Sequence, residues 1–301
     1  MKKLLTMLLS FVFFQASAQE PIPLYGSVKP NSKGQKLSDS IANERVYQVG
    51  EPRIIPFLVS KEENSGSSVL IIPGGGYSRL AYIVSGTQLA KWFNTMGINA
   101  FVLIHRLPHS PDVINRSLAP LQDAQRAIRL IRAKAADWHL DPSRVGVMGS
   151  SAGGHLAASL ASIEQPIQAL GDGIDQFSSK PNFSILVSPV ITMEGEFAHR
   201  GSVENLLGDE EPFKKELFSL QKQVTEKTAP TFLVHAQNDK TVPVQNSLLY
   251  YEALQAHHIP ASLHIFPQGG HAIAVVNNPG STAIWPRICE VWLQEIQMIK
   301  P

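Results

Sequence analysis

The chain has 301 residues, 44% of them hydrophobic, with 26 Lys plus Arg against 25 Asp plus Glu and a single cysteine. A balance this near neutral, with no basic cluster, gives no footing for nucleic acid or for an anionic membrane surface. One cysteine excludes an intrachain disulfide, so the core of one large domain has to hold the fold.

Met1, Lys2 and Lys3 precede an apolar stretch from Leu4 to Phe14 and then Ala16-Ser17-Ala18, the layout of a secretory signal peptide cut after Ala18. Without residues 1 to 18 the net charge moves from +1 to about −1. No stretch reaches the roughly 20 apolar residues that spanning a bilayer takes, so a soluble protein, periplasmic or secreted, is expected. Residues 19 to 50 read as a polar leader, flexible around "KPNSKGQ", ahead of a single domain over 51–301.

Short apolar runs bounded by Pro or Gly follow at 68–72, 99–104, 144–148, 183–187, 231–235 and 262–266. Runs of this length without alternation fit strands buried on both faces. Between the second and third, Leu121, Ala124, Ile128, Ile131 and Ala135 keep helical spacing, leaving Arg126, Arg129 and Lys134 for solvent. Near the end, Ile284, Ile288, Val291, Trp292 and Ile296 recur in the same way around Cys289, which reads as a buried structural thiol. Strands alternating with helices predict an α/β fold: a mostly parallel central sheet with helices on both faces and ligands at the carboxyl ends of its strands. Residues 192–229 lack a clear strand and read as a small insertion over that edge.

The third apolar run ends in Gly149-Ser150-Ser151-Ala152-Gly153, a G-x-S-x-G pattern opening a helix-like stretch. Small residues on both sides let the backbone turn sharply and expose the central side chain, which makes Ser151 a candidate nucleophile; a plain structural turn is the alternative. A serine hydroxyl needs a base, and in strand–helix folds of this kind the acid and the histidine follow the serine in that order. Asp239 follows the run at 231–235 and His271 the run at 262–266, each just past a strand end. Taken singly, Asp239 could be a turn former and His271 a solvated histidine; the order and placement join them to Ser151.

Gly74-Gly75-Gly76 follows the first run and can bring backbone N–H groups close to a developing oxyanion. Gly75 or Gly76 is the candidate for one donor and Ala152 for the other. A phosphate loop is the rival reading, but neither phosphate-binding glycine pattern is present. Tyr77 stands where it could narrow a substrate pocket or simply pack in the core. The histidines show no metal-ligand spacing, since Pro108 separates His105 from His109, and no metal or other cofactor is expected.

In chain order, "LIIPGGGYSRLA", "LAKWFNTMGINAFVL", "PLQDAQRAIRLIRAKAADWHLDPSRVGVMGSSAGGHLAA", "SVENLLG", "APTFLVHAQNDKTVPV" and "FPQGGHAI" resemble the α/β-hydrolases of the bacterial acetyl esterase and acetylxylan esterase type. The resemblance runs from about residue 50 to 295 and puts that family's nucleophile on Ser151, its acid on Asp239 and its base on His271. The chain departs from it at His105-Arg106-Leu107, where Tyr-Arg-Leu is usual, and at Ser85, where an acidic residue is usual. The resemblance implies a serine esterase that removes small acyl groups, chiefly acetate, from plant-wall polysaccharides such as xylan or their oligosaccharides. A serine peptidase of related fold, or a carbohydrate-binding protein that has kept the fold without catalysis, are the alternatives.

Overall fold

The structure is a computed structural model that describes residues 20–164, 170–208, 212–271 and 273–300. The expected signal peptide lies outside these residues. Among the described residues ten strands occur: β1 (Ile22–Pro23), β2 (Ser40–Ala42), β3 (Arg45–Gln48), β4 (Arg53–Phe57), β5 (Ser68–Ile72), β6 (Asn99–Ile104), β7 (Val145–Ser150), β8 (Ser184–Val187), β9 (Thr231–Ala236) and β10 (Ala261–Phe266). Helices are α1 (Gln88–Asn94), α2 (Ala119–Ala133), α3 (Ala152–Ser162), α4 (Arg200–Leu206), α5 (Pro212–Leu217), α6 (Gln245–Ala256) and α7 (Trp285–Glu295).

Eight strands form one sheet in the order β1-β4-β6-β5-β7-β8-β9-β10, while β2 and β3 make a separate hairpin. From β6 to β10 every neighbouring pair is parallel, and β4 and β1 add antiparallel partners at one edge. Val69 and Ile71 enter one core layer with α1 and α7, whereas Leu70 and Ile72 enter the other with α2, α3 and α6. Two packed faces explain why β5 to β9 read as unbroken apolar runs; β10, expected to be buried on both faces, is a half-buried edge strand in which Ile265 is 40% exposed. Cys289 is fully buried in the first layer, against the sheet.

Register aligns the strand ends on one edge: Ile72 pairs with Gly149, Ser150 with Val187, Val187 with Val234, and Ala236 with Phe266. The chain goes from β5 outward to β6 and then crosses back to β7 on the other side, so the strand order reverses between β5 and β7. Loops leaving a parallel sheet at such a reversal diverge and open a crevice. The glycine run follows β5 and the G-x-S-x-G turn follows β7.

Three sequence expectations change. The leader is not loose: β1 joins the main sheet, Leu24 and Tyr25 are buried, and "KPNSKGQ" is tied to Asp112 through Lys29, Ser32 and the Gln35 N–H. Arg126 and Arg129 do not face solvent, because the segment carrying Asp172 and Asp175 folds over α2; Arg126 meets Asp172 with 2.6 and 2.7 Å contacts. In α7 the inward face is Trp285, Cys289, Trp292 and Leu293, while Ile284 and Val291 are exposed. A buried Arg106–Asp123 ion pair, with NH2 to carboxylate at 2.7 Å, also takes the Tyr25 hydroxyl at 2.9 Å and anchors the N-terminal segment.

Candidate active site

Between β7 and α3 the chain reverses over one residue. Ser151 has φ 56° and ψ −124°, left-handed backbone that costs an L-residue of order 1–3 kcal/mol and persists only where its surroundings enforce it. Three hydrogen bonds do so: Ser151 N–H donates to Val187 O, and its carbonyl accepts from the N–H of Val190 and of His155. Around it, a Cβ on Gly149 would lie 2.1 Å from Gly153 O, and one on Gly153 would lie 2.2 Å from Ile72 O. Backbone passes close to backbone on both sides, as the pattern requires.

His271 and Asp239 come from the loops after β10 and β9. His271 Nε2 lies 2.8 Å from Ser151 Oγ, and its Nδ1 lies 2.7 Å from Asp239 Oδ2. The carboxylate facing Nδ1 fixes the proton there and leaves Nε2 as the acceptor for the serine hydroxyl. Asp239 Oδ1 accepts the N–H groups of Thr241 and Val242, and His235 Nε2 lies 3.3 Å from Oδ2. Burial alone would raise the Asp239 pKa, but the hydrogen bonds from His235, His271 and Val242 outweigh it and hold the carboxyl well below the usual carboxylate range. Asp239 stays ionised and His271 is held by a fixed charge.

Gly75 and Gly76 have φ of 142° and 62°, and a Cβ on Gly75 would lie 2.1 Å from Arg79 O. Gly74 N–H is spoken for by Ser85 Oγ at 3.0 Å, so Ser85 braces the loop. The N–H groups of Gly75, Gly76 and Ala152 have no acceptor among the described residues. Ala152 also opens α3, whose N-terminal dipole end favours negative charge at that point. Gly75, Gly76 and Ser151 line one cavity of about 440 Å³, and Ala152 follows Ser151 directly at the start of α3.

Tyr77 is a correction. It is 3% exposed and does not line the cavity; its hydroxyl lies 2.7 Å from His155 Nδ1, and its ring packs edge-on to that imidazole. His155 Nε2 faces Phe218 O at 2.8 Å, so Nε2 carries the proton and Nδ1 accepts from Tyr77. This relay pins the glycine loop to α3 and to the 192–229 segment. That segment does wall the cavity, through His199, Gly201 and Asn205. Asn205 Nδ2 donates to Gly76 O at 2.8 Å.

His155, His199, Asn205 and His235 were not singled out from the sequence. His235, four residues before Asp239 at a strand end, had a positional signal; the others act across gaps of 63 residues or more that no local pattern reveals.

A mostly parallel sheet covered on both faces, with a Ser-His-acid chain at its carboxyl edge, defines an α/β-hydrolase. Residues 57–254 match the BD-FAE family model, and the chain belongs to that family, among α/β-hydrolases of the acetyl esterase and acetylxylan esterase type. It is 35% identical over 227 residues to an acetylxylan esterase of Xylanibacter ruminicola, covering 74% of this chain and 44% of that protein. Over 266 residues it is 34% identical to an endo-1,4-beta-xylanase B of Butyrivibrio fibrisolvens, covering 87% and 41%. The chain thus spans less than half the length of these curated relatives. Among solved structures, an acetyl ester-xyloside bifunctional hydrolase from Caldicellulosiruptor lactoaceticus superposes with a TM-score of 0.77 at 35% identity, over 93% of this chain and 97% of that one.

Proposed function

We propose that the protein is an exported serine carboxylesterase that removes small acyl groups, chiefly acetyl, from xylan-type polysaccharides or their oligosaccharides. The single observation that carries the chemistry is the unbroken Ser151–His271–Asp239 hydrogen-bond chain opening on the cavity. Ser151 Oγ attacks the ester carbonyl while His271 Nε2 takes its proton. Asp239 holds His271 in the required tautomer and stabilises its cation. The N–H groups of Ala152 and of Gly75 or Gly76 receive the oxyanion as it forms. His271 then returns the proton to the leaving alcohol, and water attacks the acyl-serine by the same route in reverse.

The names of the two curated relatives and of the solved hydrolase support xylan-linked esters as substrates. The N-terminal layout of residues 1 to 18 supports export, which suits a polymer too large to enter a cell. The lining of the cavity supports short acyl groups. Leu89 and Trp285, 4% and 1% exposed, line it as packed core side chains in a cavity of about 440 Å³, which supports a small acyl group.

A series of nitrophenyl esters tests this reading, run beside acetate release from acetylated xylan. A continuous apolar cleft would add about 0.8 kcal/mol, near fourfold, per buried methylene. The expected kcat/KM is highest for acetate, without gain beyond butyrate, together with acetate release from the polymer. A steady rise from acetate to octanoate, or no acetate release from either the polymer or its acetylated oligosaccharides, overturns it.

A further inference from the structure

The cavity has two unlike walls: Ala81, Val84, Leu89, Ile273 and Trp285 form the apolar one, and Ser78, Arg79, His199, Asn205 and Thr241 form the polar one. Within the polar wall His199 has one ring nitrogen fully committed. Its Nδ1 accepts the Ser202 N–H at 3.2 Å, capping α4, and lies 2.8 Å from Ser202 Oγ. A ring nitrogen that accepts an N–H carries no proton of its own, so the neutral ring has its hydrogen on Nε2. Nε2 has no partner among the described residues. The ring lies beside the oxyanion loop, 3.9 Å from where a Cβ on Gly76 would stand. It is also near enough to His271 for the charges to be felt: burial first, then His271, pushes its pKa down. Burial and His271 thus favour the neutral ring, whose unpartnered Nε2–H belongs to a residue lining the same cavity as the base.

A donor so placed suits one feature of a sugar ester. His271 must reach the oxygen of the leaving alcohol, and in a sugar the neighbouring carbon carries a hydroxyl that falls next to that oxygen. We propose that His199 is a specificity-determining residue whose Nε2–H hydrogen-bonds the free hydroxyl vicinal to the acylated one, so that the site selects esters of polyols. The inference rests on the sugar-ester reading above and deepens it.

His199→Asn separates the two roles of the ring. Asparagine is favoured at a helix N-cap and keeps an acceptor for Ser202 N–H, holding α4 and Asn205, but it is too short to reproduce the cavity donor. The readout is the ratio of kcat/KM on an acetylated xylo-oligosaccharide to kcat/KM on nitrophenyl acetate, whose leaving group has no vicinal hydroxyl. The expected fall in that ratio is about tenfold, carried by KM on the oligosaccharide, the scale of one neutral hydrogen bond. An unchanged ratio overturns the inference, whether both substrates lose equally or neither does. A wild-type protein that hydrolyses nitrophenyl acetate but leaves the oligosaccharide intact overturns the sugar-ester reading, and the inference with it.

Discussion

Asp239 serves two histidines with one oxygen. Oδ2 takes the Nδ1–H of His271 and lies 3.3 Å from His235 Nε2, which also faces Val242 O at 3.0 Å while Ser247 Oγ satisfies Nδ1 at 2.8 Å. His235 thus holds the acid from behind and never enters the cavity. His155 makes an analogous brace on the other side of Ser151, and its burial lowers its pKa to about 4. The unfolded chain takes up that proton near pH 6.5, so between pH 6.5 and 4 the unfolded state binds a proton that the folded state refuses. Stability is therefore full above the window and lost as pH falls through it, by a difference of about 3 kcal/mol for this one residue. His155→Gln, which can still reach Phe218 O, should start less stable at pH 7 but lose less on acidification. Denaturant unfolding at several pH values checks this; parallel slopes for the two proteins would show that His155 carries no such penalty. The hydrogen-bonded arrangement of Ser151, His271 and Asp239 is legible in sequence because each follows an apolar run. The braces were not, because Tyr77 needs His155, and Gly76 needs Asn205, from elsewhere in the chain.

At the scale of elements, β5 to β9 are readable because both their faces are packed, and β10 because its run stays apolar at a half-buried edge. β5 and β6 coincide with the apolar runs residue for residue, and β7 extends two residues beyond its run because Gly149 and Ser150 still pair with Leu186 and Val187. No apolar run marks β1 to β4: β1 to β3 are two to four residues long and largely exposed or half-buried, and β4 alternates half-buried with buried residues and carries Pro56. α2 was placed correctly, yet its arginines were misassigned, since their cover comes from residues 170–178 and not from the helix. The β7–α3 corner makes the sharpest demand on sequence. Gly153→Ala would force a methyl against Ile72 O and Pro73 O, both backbone, whereas Gly270→Ala meets nothing within 4 Å and is opposed only by its φ of 60°. Overpacking against backbone costs about 1–3 kcal/mol or more, and a left-handed alanine about 1–2 kcal/mol. Gly153→Ala should therefore lower Tm more than Gly270→Ala and remove activity with it, since the clash moves Ser151. Thermal melts read beside turnover decide this; a Gly153→Ala protein as stable and active as the parent would contradict the geometry.

Across the whole molecule, the site is where the topology puts it. Strand order reverses between β5 and β7, and the loops leaving those two strands carry the candidate oxyanion donors and Ser151. β9 and β10 bring the acid and base to the same edge, and residues 192–208 close one side with His199 and Asn205. Alternation of strands and helices made this architecture legible; the two-walled cavity was not, because its walls come from four separated segments. The central claim is that this assembly activates Ser151 as a nucleophile, and covalent labelling tests it most directly. After incubation of the whole protein with a serine-directed fluorophosphonate, peptide mapping should find one adduct, on Ser151, absent in Ser151→Ala and slowed by at least about a thousandfold in His271→Ala. No adduct on the folded protein, or an adduct on the neighbouring Ser150 instead, would contradict the account.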